Sequence, residues 1–258
     1  MEARNIDVKS EISCQHLYKS FPGMDGNVTE VLKDVNLSVA KNEFLVILGP
    51  GQCGKTTLLN IMAGLDSSDS GEILLNDVPV SGPNPNLGLV FQRMALMPWK
   101  TVMGNVSMGL KFRGVSKKER EEKARYFINL VGLSGFEKSY PYQLSGGMKQ
   151  RVGIARAYCS DPEVLLMDEP FGALDAQTRY MMEEEILRIW EKAKRTVVFV
   201  TNNIEEAIYL GDRIVLLSRC PATVKAVYPI DLARPRQFTD SRFLEVRQKI
   251  ADNTDLAL

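Results

Sequence analysis

The run Phe44-Leu45-Val46-Ile47-Leu48 leads directly into Gly49-Pro50-Gly51-Gln52-Cys53-Gly54-Lys55-Thr56, and a helical pattern follows from Thr57. No other stretch constrains the fold as tightly. A buried strand, a glycine-rich turn and a helix in that order satisfy GxxxxGK[ST] in the context the pattern requires. Glycines let successive backbone N–H groups turn inward around phosphate oxygens, and the start of the next helix adds partial positive charge. The segment Gly49 to Thr57 therefore reads as a site for ATP. In it Lys55, on an exposed loop, meets the β- and γ-phosphates, and the Thr56 hydroxyl ligates Mg²⁺. The Cys53 thiol is expected to line the cradle near the helix start, in surroundings that favour thiolate. Glycine's usual frequency would produce the four fixed positions by accident in on the order of one chain in a hundred.

The remaining pattern is α/β. Apolar runs at 163–167 (EVLLM) and 196–200 (TVVFV) alternate with helical stretches near 175–194 and at IEEAIYL, which predicts parallel strands with crossover helices. Strands so uniformly apolar are covered on both faces. Before them, ISCQHLYKSF and VTEVLKDVNLSV, broken by PGMDGN, predict a small antiparallel sheet. From Arg93 to Ser160 the pattern is helical, with an amphipathic KKEREEKARYFINLVGL and a second helix from about Gly147 to Tyr158. The charged run KKEREEK reads as a solvated helix face. Near the end, IVLLSRCPATVKAVYPI predicts a hairpin and SRFLEVRQKIAD a closing helix. The expectation is one domain over residues 1–258. Its core and β subdomain lie at about 10–92 and 161–230, its helical subdomain at about 93–160, and a C-terminal hairpin and helix at about 212–258.

Lys plus Arg and Asp plus Glu are equal at 32 each, so no net positive field holds nucleic acid or an anionic lipid surface nonspecifically. No apolar run reaches the roughly 20 residues of a membrane span, and the start MEARNIDVKSE has no signal-peptide core. The expected location is the cytoplasm or the cytoplasmic face of the cell membrane. Cys14, Cys53, Cys159 and Cys220 form no CxxC pair and His16 is the only histidine, which argues against disulfides and a Cys/His zinc site.

Two further elements carry chemistry. The strand EVLLM ends in Asp168 and Glu169, and the carboxyl ends of parallel strands face the ligand crevice of open α/β sheets. Asp168 is placed to hold hydrated Mg²⁺ and Glu169 to act as general base toward the attacking water. In LSGGMKQR, Ser145, Gly146 and Gly147 open a helix with free donors suited to an anion. One nucleotide does not need two cradles in one domain, so the second makes sense as serving ATP held by a neighbouring copy. The alternative is a plain serine-capped helix.

With GPGQCGKTT, LSGGMKQR, LLMDEP, Gln92 in VFQ, and Ala173-Leu174-Asp175, in that family's motif order, nearly the whole chain resembles the ATP-binding subunit of ABC transporters. The resemblance implies an α/β P-loop NTPase core, an antiparallel β subdomain and an inserted helical subdomain. It implies that Phe21 stacks on adenine, that Gln92 contacts Mg²⁺ and senses the membrane subunit, and that Asp175 lies in a loop crossing a dimer interface. Ser145, Gly146, Gly147 and Gln150 then belong to the surface offered to the partner's ATP. LMPWKTVMGNVSMGL, YPYQLSGGMKQRVGIARA and DLARPR resemble the importer subunits for nitrate, taurine and aliphatic sulfonates. The partners implied are integral membrane permease subunits, a second ATPase subunit and, indirectly, a substrate-binding protein, with no nucleic acid.

Two departures stand out. The family usually has serine and glycine where this chain has Gly51 and Gln52, and Gln52 puts a side chain where backbone freedom is wanted. After TVVFV the family has Thr-His-Asp, whose histidine contacts the γ-phosphate. This chain has Thr201-Asn202-Asn203. Asn202 can donate a hydrogen bond but is shorter and cannot share a proton as imidazole does, so binding should survive better than turnover. A low-turnover regulatory subunit in a heteromeric pair is the competing reading. A soluble ABC ATPase acting on nucleic acid is disfavoured by the absence of a second ATPase domain, a coiled-coil insertion or a basic face.

Overall fold

A computed structural model describes residues 10–23, 26–92, 95–172 and 174–254. Two long strands, β1 (Ser10–Pro22) and β2 (Val28–Ala40), pair antiparallel, burying Ile12, Cys14 and Leu17 of the first and Val35, Leu37 and Val39 of the second. The fully buried β3 (Phe44–Leu48) enters the glycine-rich turn and α1 (Lys55–Met62). Then follow β4 (Ser70–Leu75), β5 (Val78–Pro79) and β6 (Leu87–Val90). A run of helices comes next: α2 (Val102–Val106), α3 (Met108–Phe112), α4 (Lys117–Leu130) and α5 (Gly146–Cys159). The chain returns through β7 (Val164–Asp168), α6 (Ala176–Ala193), β8 (Thr196–Thr201) and α7 (Ile204–Leu210), and closes with β9 (Arg213–Leu217), β10 (Val224–Pro229) and α8 (Ser241–Ala251).

These strands make two sheets. One is antiparallel in the order β2-β1-β4-β5, and the other has six strands in the order β10-β9-β3-β8-β7-β6. In the second, β9, β3, β8, β7 and β6 run parallel and only the edge strand β10 is antiparallel. The hairpin expected near the C-terminus is thus β9–β10, with β9 paired to β3 inside the main sheet.

Because strand side chains alternate between faces, the main sheet builds two cores. Leu45, Ile47, Leu166, Val198 and Val200 pack with α1 and the antiparallel sheet, whereas Phe44, Val46, Leu48, Leu165, Met167 and Phe199 pack with α5, α6 and α7. Both faces are covered, which is why residues 44–48, 164–167 and 197–200 are uninterrupted apolar runs, with polar residues only at the ends of β7 and β8. The parallel alignment brings the carboxyl ends of β3, β7 and β8 to one edge.

Candidate nucleotide site

At that edge the turn after β3 closes on itself. Gly54 adopts φ +115°, and a Cβ there would fall 2.9 Å from Val31 Cγ1, so glycine is needed both for conformation and for the approach to β2. Gln52, the non-glycine departure, is exposed at φ +60°, so the turn tolerates it in a left-handed conformation. Gly49, Pro50 and Gly51 precede it, with Gly51 exposed. As N-cap of α1, Gly54 provides no side-chain acceptor, which leaves the helix's first N–H groups available to an anion. Thr57 is half-buried in the first turn.

Lys55 departs from expectation. It is only 4% exposed, and its Nζ donates to Gly49 O at 2.9 Å and Pro50 O at 2.7 Å and lies 3.4 Å from Glu169 Oε1. The loop curls around its own lysine because buried ammonium needs acceptors on every side. Cys53 is also corrected. It is 1% exposed, its Sγ would lie 3.0 Å from a Cβ placed on Gly49, and it belongs to the apolar cluster that also holds the β9 residue Leu217. Burial pushes its thiol up, and the Lys55 charge only partly offsets that. Cys53 therefore sits beneath the cradle and does not line it with a thiolate.

Asp168 ends β7 beside α1, and Thr56 Oγ1 donates to its Oδ1 at 3.2 Å. Burial raises the Asp168 carboxyl above its ordinary range, against the pull of the Thr56 hydrogen bond. The donors here are one hydroxyl and one carboxylate, all oxygen and few, which fits Mg²⁺, an ion that keeps waters and shares substrate phosphates. Glu169 follows at φ +39°, an uncommon conformation for a side-chain-bearing residue and one that concentrates at functional sites. Its carboxylate meets Lys55 on one side, and on the other Gln92 Nε2 approaches Oε2 at 3.4 Å. Lys55, Thr56, Gln92, Asp168 and Glu169 thus converge, although Gln92 and Asp168 are far apart in the chain.

Phe21 lies at the end of β1 opposite Thr29, 38% exposed, with Lys19 Nζ 4.9 Å above its ring. The ring lies at the surface and belongs to neither core. A second group forms elsewhere. Ser145 N-caps α5, its Oγ accepting from Met148 N, and exposed Gly146 and half-exposed Gly147 follow. A Cβ on Gly147 would lie 3.4 Å from Thr178, the residue whose N–H and hydroxyl bond the Asp175 carboxylate at 3.0 and 2.7 Å. Ser145, Gly147 and Asp175 are therefore neighbours across α5 and α6. Gln150 lies three residues after Gly147 on the same helix. It is 2% exposed, and its Nε2 has no hydrogen-bond partner among the described residues. Among the described residues, no hydrogen bond or ion pair joins the two groups. Ala173 lies outside the described residues.

The pattern that describes the ABC transporter family matches residues 32–172, a span that holds the convergent carboxylates, the glycine-rich turn and the start of α5. The chain belongs to the ABC transporter family. Its sequence is 52% identical to an uncharacterized ABC transporter ATP-binding protein of Methanocaldococcus jannaschii, over 94% of this chain and 91% of the relative. It is 44% identical to an aliphatic sulfonates import ATP-binding protein of Bacillus thuringiensis, over 93% of this chain and 94% of that one. Among solved structures, a dimeric ATP-binding cassette in a post-hydrolysis state, bound to ADP and Pi, superimposes with a TM-score of 0.75 at 31% identity. That match covers 86% of this chain and all of the cassette. This ABC chain is an ATP-binding subunit with the ATPase fold of its family.

Asn202 is exposed in the turn between β8 and α7 of the ABC subunit, next to Thr201 and Asn203, and His16 is remote, exposed and 2.8 Å from Asp34. Two buried charged residues of this region belong to no motif. Glu206, in the first turn of α7, is 5% exposed and hydrogen-bonded to Thr201 Oγ1. Arg236, from DLARPR, is buried and donates to the α7 C-terminal carbonyls of Tyr209 at 3.2 Å and Gly211 at 2.6 Å. A buried charge pattern with only carbonyl partners is a helix cap, which a basic residue distant in sequence does not announce.

Proposed function

We propose that this chain is the ATP-hydrolysing motor of an importer for small anionic solutes of the sulfonate, taurine and nitrate class. It works as a dimer on the cytoplasmic face of the membrane beneath permease subunits, which receive solute from a binding protein. The observation that carries the ATPase chemistry is the contact of Lys55 Nζ with Glu169 at 3.4 Å, beside Thr56 and Asp168. Lys55 would exchange the Gly49 and Pro50 carbonyls for phosphate oxygens. Glu169, released from that ion pair, would accept a proton from the attacking water, and Gln92 would orient it. Thr56, Asp168 and Gln92 would hold Mg²⁺, which neutralises developing phosphate charge. Phe21 would stack on adenine. The solute class is supported by the sulfonate import relative and by a taurine import ATP-binding protein of Pseudomonas putida, 44% identical over 93% of each chain. Among the described residues no helix is long and apolar enough to cross a membrane, which is compatible with a peripheral subunit.

A second reading, a slow regulatory partner in a heteromeric pair, is favoured by Asn202 standing at the turn where a proton-sharing side chain would be needed. Turnover of the purified chain with MgATP separates the two. The expected outcome is measurable hydrolysis, abolished by Glu169→Gln with ATP affinity kept. Asn202→His is expected to raise kcat on the order of 10²-fold at similar ATP affinity, the scale of a single transition-state donor. Unchanged kcat in Asn202→His would remove Asn202 from the mechanism, and turnover surviving Glu169→Gln would remove the general base.

A further inference from the structure

The turn that carries Asn202 is held from behind by a buried carboxyl group. Thr201 Oγ1, at the last position of β8, is hydrogen-bonded to Glu206 Oε2 on α7. The same hydroxyl accepts from Asn203 N at 3.0 Å. Asn203 Oδ1 in turn accepts from the amides of Glu205 and Glu206 at 2.8 and 3.1 Å, capping the helix. A hydroxyl has one proton, so with Asn203 N–H donating to it, Thr201 is free to direct that proton at Glu206. The turn and the helix are thereby tied through side chains as well as through the backbone.

The same turn reaches both parts of the nucleotide site. Gly49 N donates to Thr201 O at 3.4 Å and Glu169 N donates to Val200 O at 3.0 Å. A shift at Thr201 would therefore move the first residue of the phosphate loop and the backbone of the general base. Thr201 and Glu206 are 2% and 5% exposed, so the carboxyl is kept out of water at a desolvation cost that leucine in the same space would not carry. The groups facing it are Arg179 and Glu183 from α6, Glu169 from the segment after β7, and Thr201 from β8. Glu205 on its own helix pairs outward with Arg247 of α8 at 2.9 Å.

We propose that Glu206 is a positioning residue for ATP hydrolysis: through Thr201 Oγ1 its carboxyl sets the Thr201–Asn203 turn against Gly49 and Glu169. This rests on the ATPase reading above. Glu206 touches no phosphate and acts only through Thr201. An uncharged side chain that still offers a carbonyl oxygen should serve as well, because the contact requires an acceptor for the Thr201 hydroxyl and not a charge.

The test compares Glu206→Gln, Glu206→Leu and Thr201→Val in the purified full chain, reading kcat, KM for ATP and thermal melting. Glu206→Leu and Thr201→Val are expected to lower kcat roughly 10- to 10²-fold, the scale of a small misplacement at a reacting centre, with KM within about twofold. Glu206→Gln is expected to restore kcat to near the unsubstituted value. If Glu206→Leu does not fold, Thr201→Val and Glu206→Gln decide the matter. Unchanged kcat in folded Glu206→Leu or in Thr201→Val would overturn the proposal, as would equal losses of kcat and ATP affinity in the Leu and Gln variants. Asn202→Ala separates the layers: if it is silent while Glu206→Leu slows kcat, the role of Asn202 falls and Glu206 acts through Gly49 and Glu169. Absence of turnover in the unsubstituted chain would sink the ATPase reading and this proposal with it.

Discussion

Cys53 lies between Gln52 and Gly54 in the phosphate loop, and chain position alone puts its thiol among the phosphate-binding amides. In the folded chain its side chain is buried in the apolar cluster of α1 and the antiparallel sheet, where burial disfavours thiolate. Cys220, on the β9–β10 connection, is exposed. A maleimide titration followed by peptide mass analysis should label Cys220 first and Cys53 at least about 10-fold more slowly, since only thiolate attacks and access is closed. Rapid labelling of Cys53 that MgATP blocks would return it to the cradle. Lys55 shows the opposite relation between sequence and environment. Its motif role is unaffected by burial, because the acceptors that solvate its ammonium are carbonyls of its own loop and the Glu169 carboxylate, the groups it would leave on meeting phosphate.

At the scale of the element, α7 is held at both ends, by Asn203 and Glu206 at its start and by Arg236 at its finish. Its buried face also meets α6, where Glu183 is 4% exposed. Burial raises Glu206 to about 7 and Glu183 to about 8, the charge of Glu206 adding to the second shift. Both folded values lie above the ordinary carboxyl range, so between about pH 4.5 and 8 the native chain binds more protons than the unfolded one and stability falls as pH rises. Melting of the unsubstituted chain should drop on the order of 5 °C more between pH 5.5 and 8.5 than that of the double variant Glu183→Gln/Glu206→Gln. Equal slopes for the two proteins would show that these carboxyls are not buried as described. Carboxyls with lowered values, such as Asp34 and Asp161, act below this window.

For the whole molecule, the main sheet collects Lys55, Thr56, Asp168 and Glu169 at one edge, while Ser145, Gly147 and Asp175 lie together at the starts of α5 and α6. A two-fold dimer that faces one group with the partner's other group gives two sites, each built from both chains. Lys55→Ala and Ser145→Arg should each inactivate a homodimer, since every site then lacks one half. Mixed in equal amounts, the two variants should recover roughly a quarter of unsubstituted activity, because random pairing leaves one intact site in half of the dimers. No recovery, in chains shown to exchange subunits, would exclude sites shared in this way.

The sequence alone determined the features that depend on local pattern. Apolar runs named β3, β7 and β8 because a strand covered on both faces is apolar through its middle, and α6 at Ala176–Ala193 lies where its period predicts a helix near 175–194. The phosphate loop was equally legible, since backbone amides and one lysine act in a fixed local order. Only the tertiary structure decided which neighbours each side chain meets. It turned Cys53 inward, buried Gln150, and set Glu206 behind Thr201 and Arg236 beneath α7. Those placements come from segments packed together over long chain separations, where burial and hydrogen-bond satisfaction are settled between elements and leave no spacing in the sequence to read.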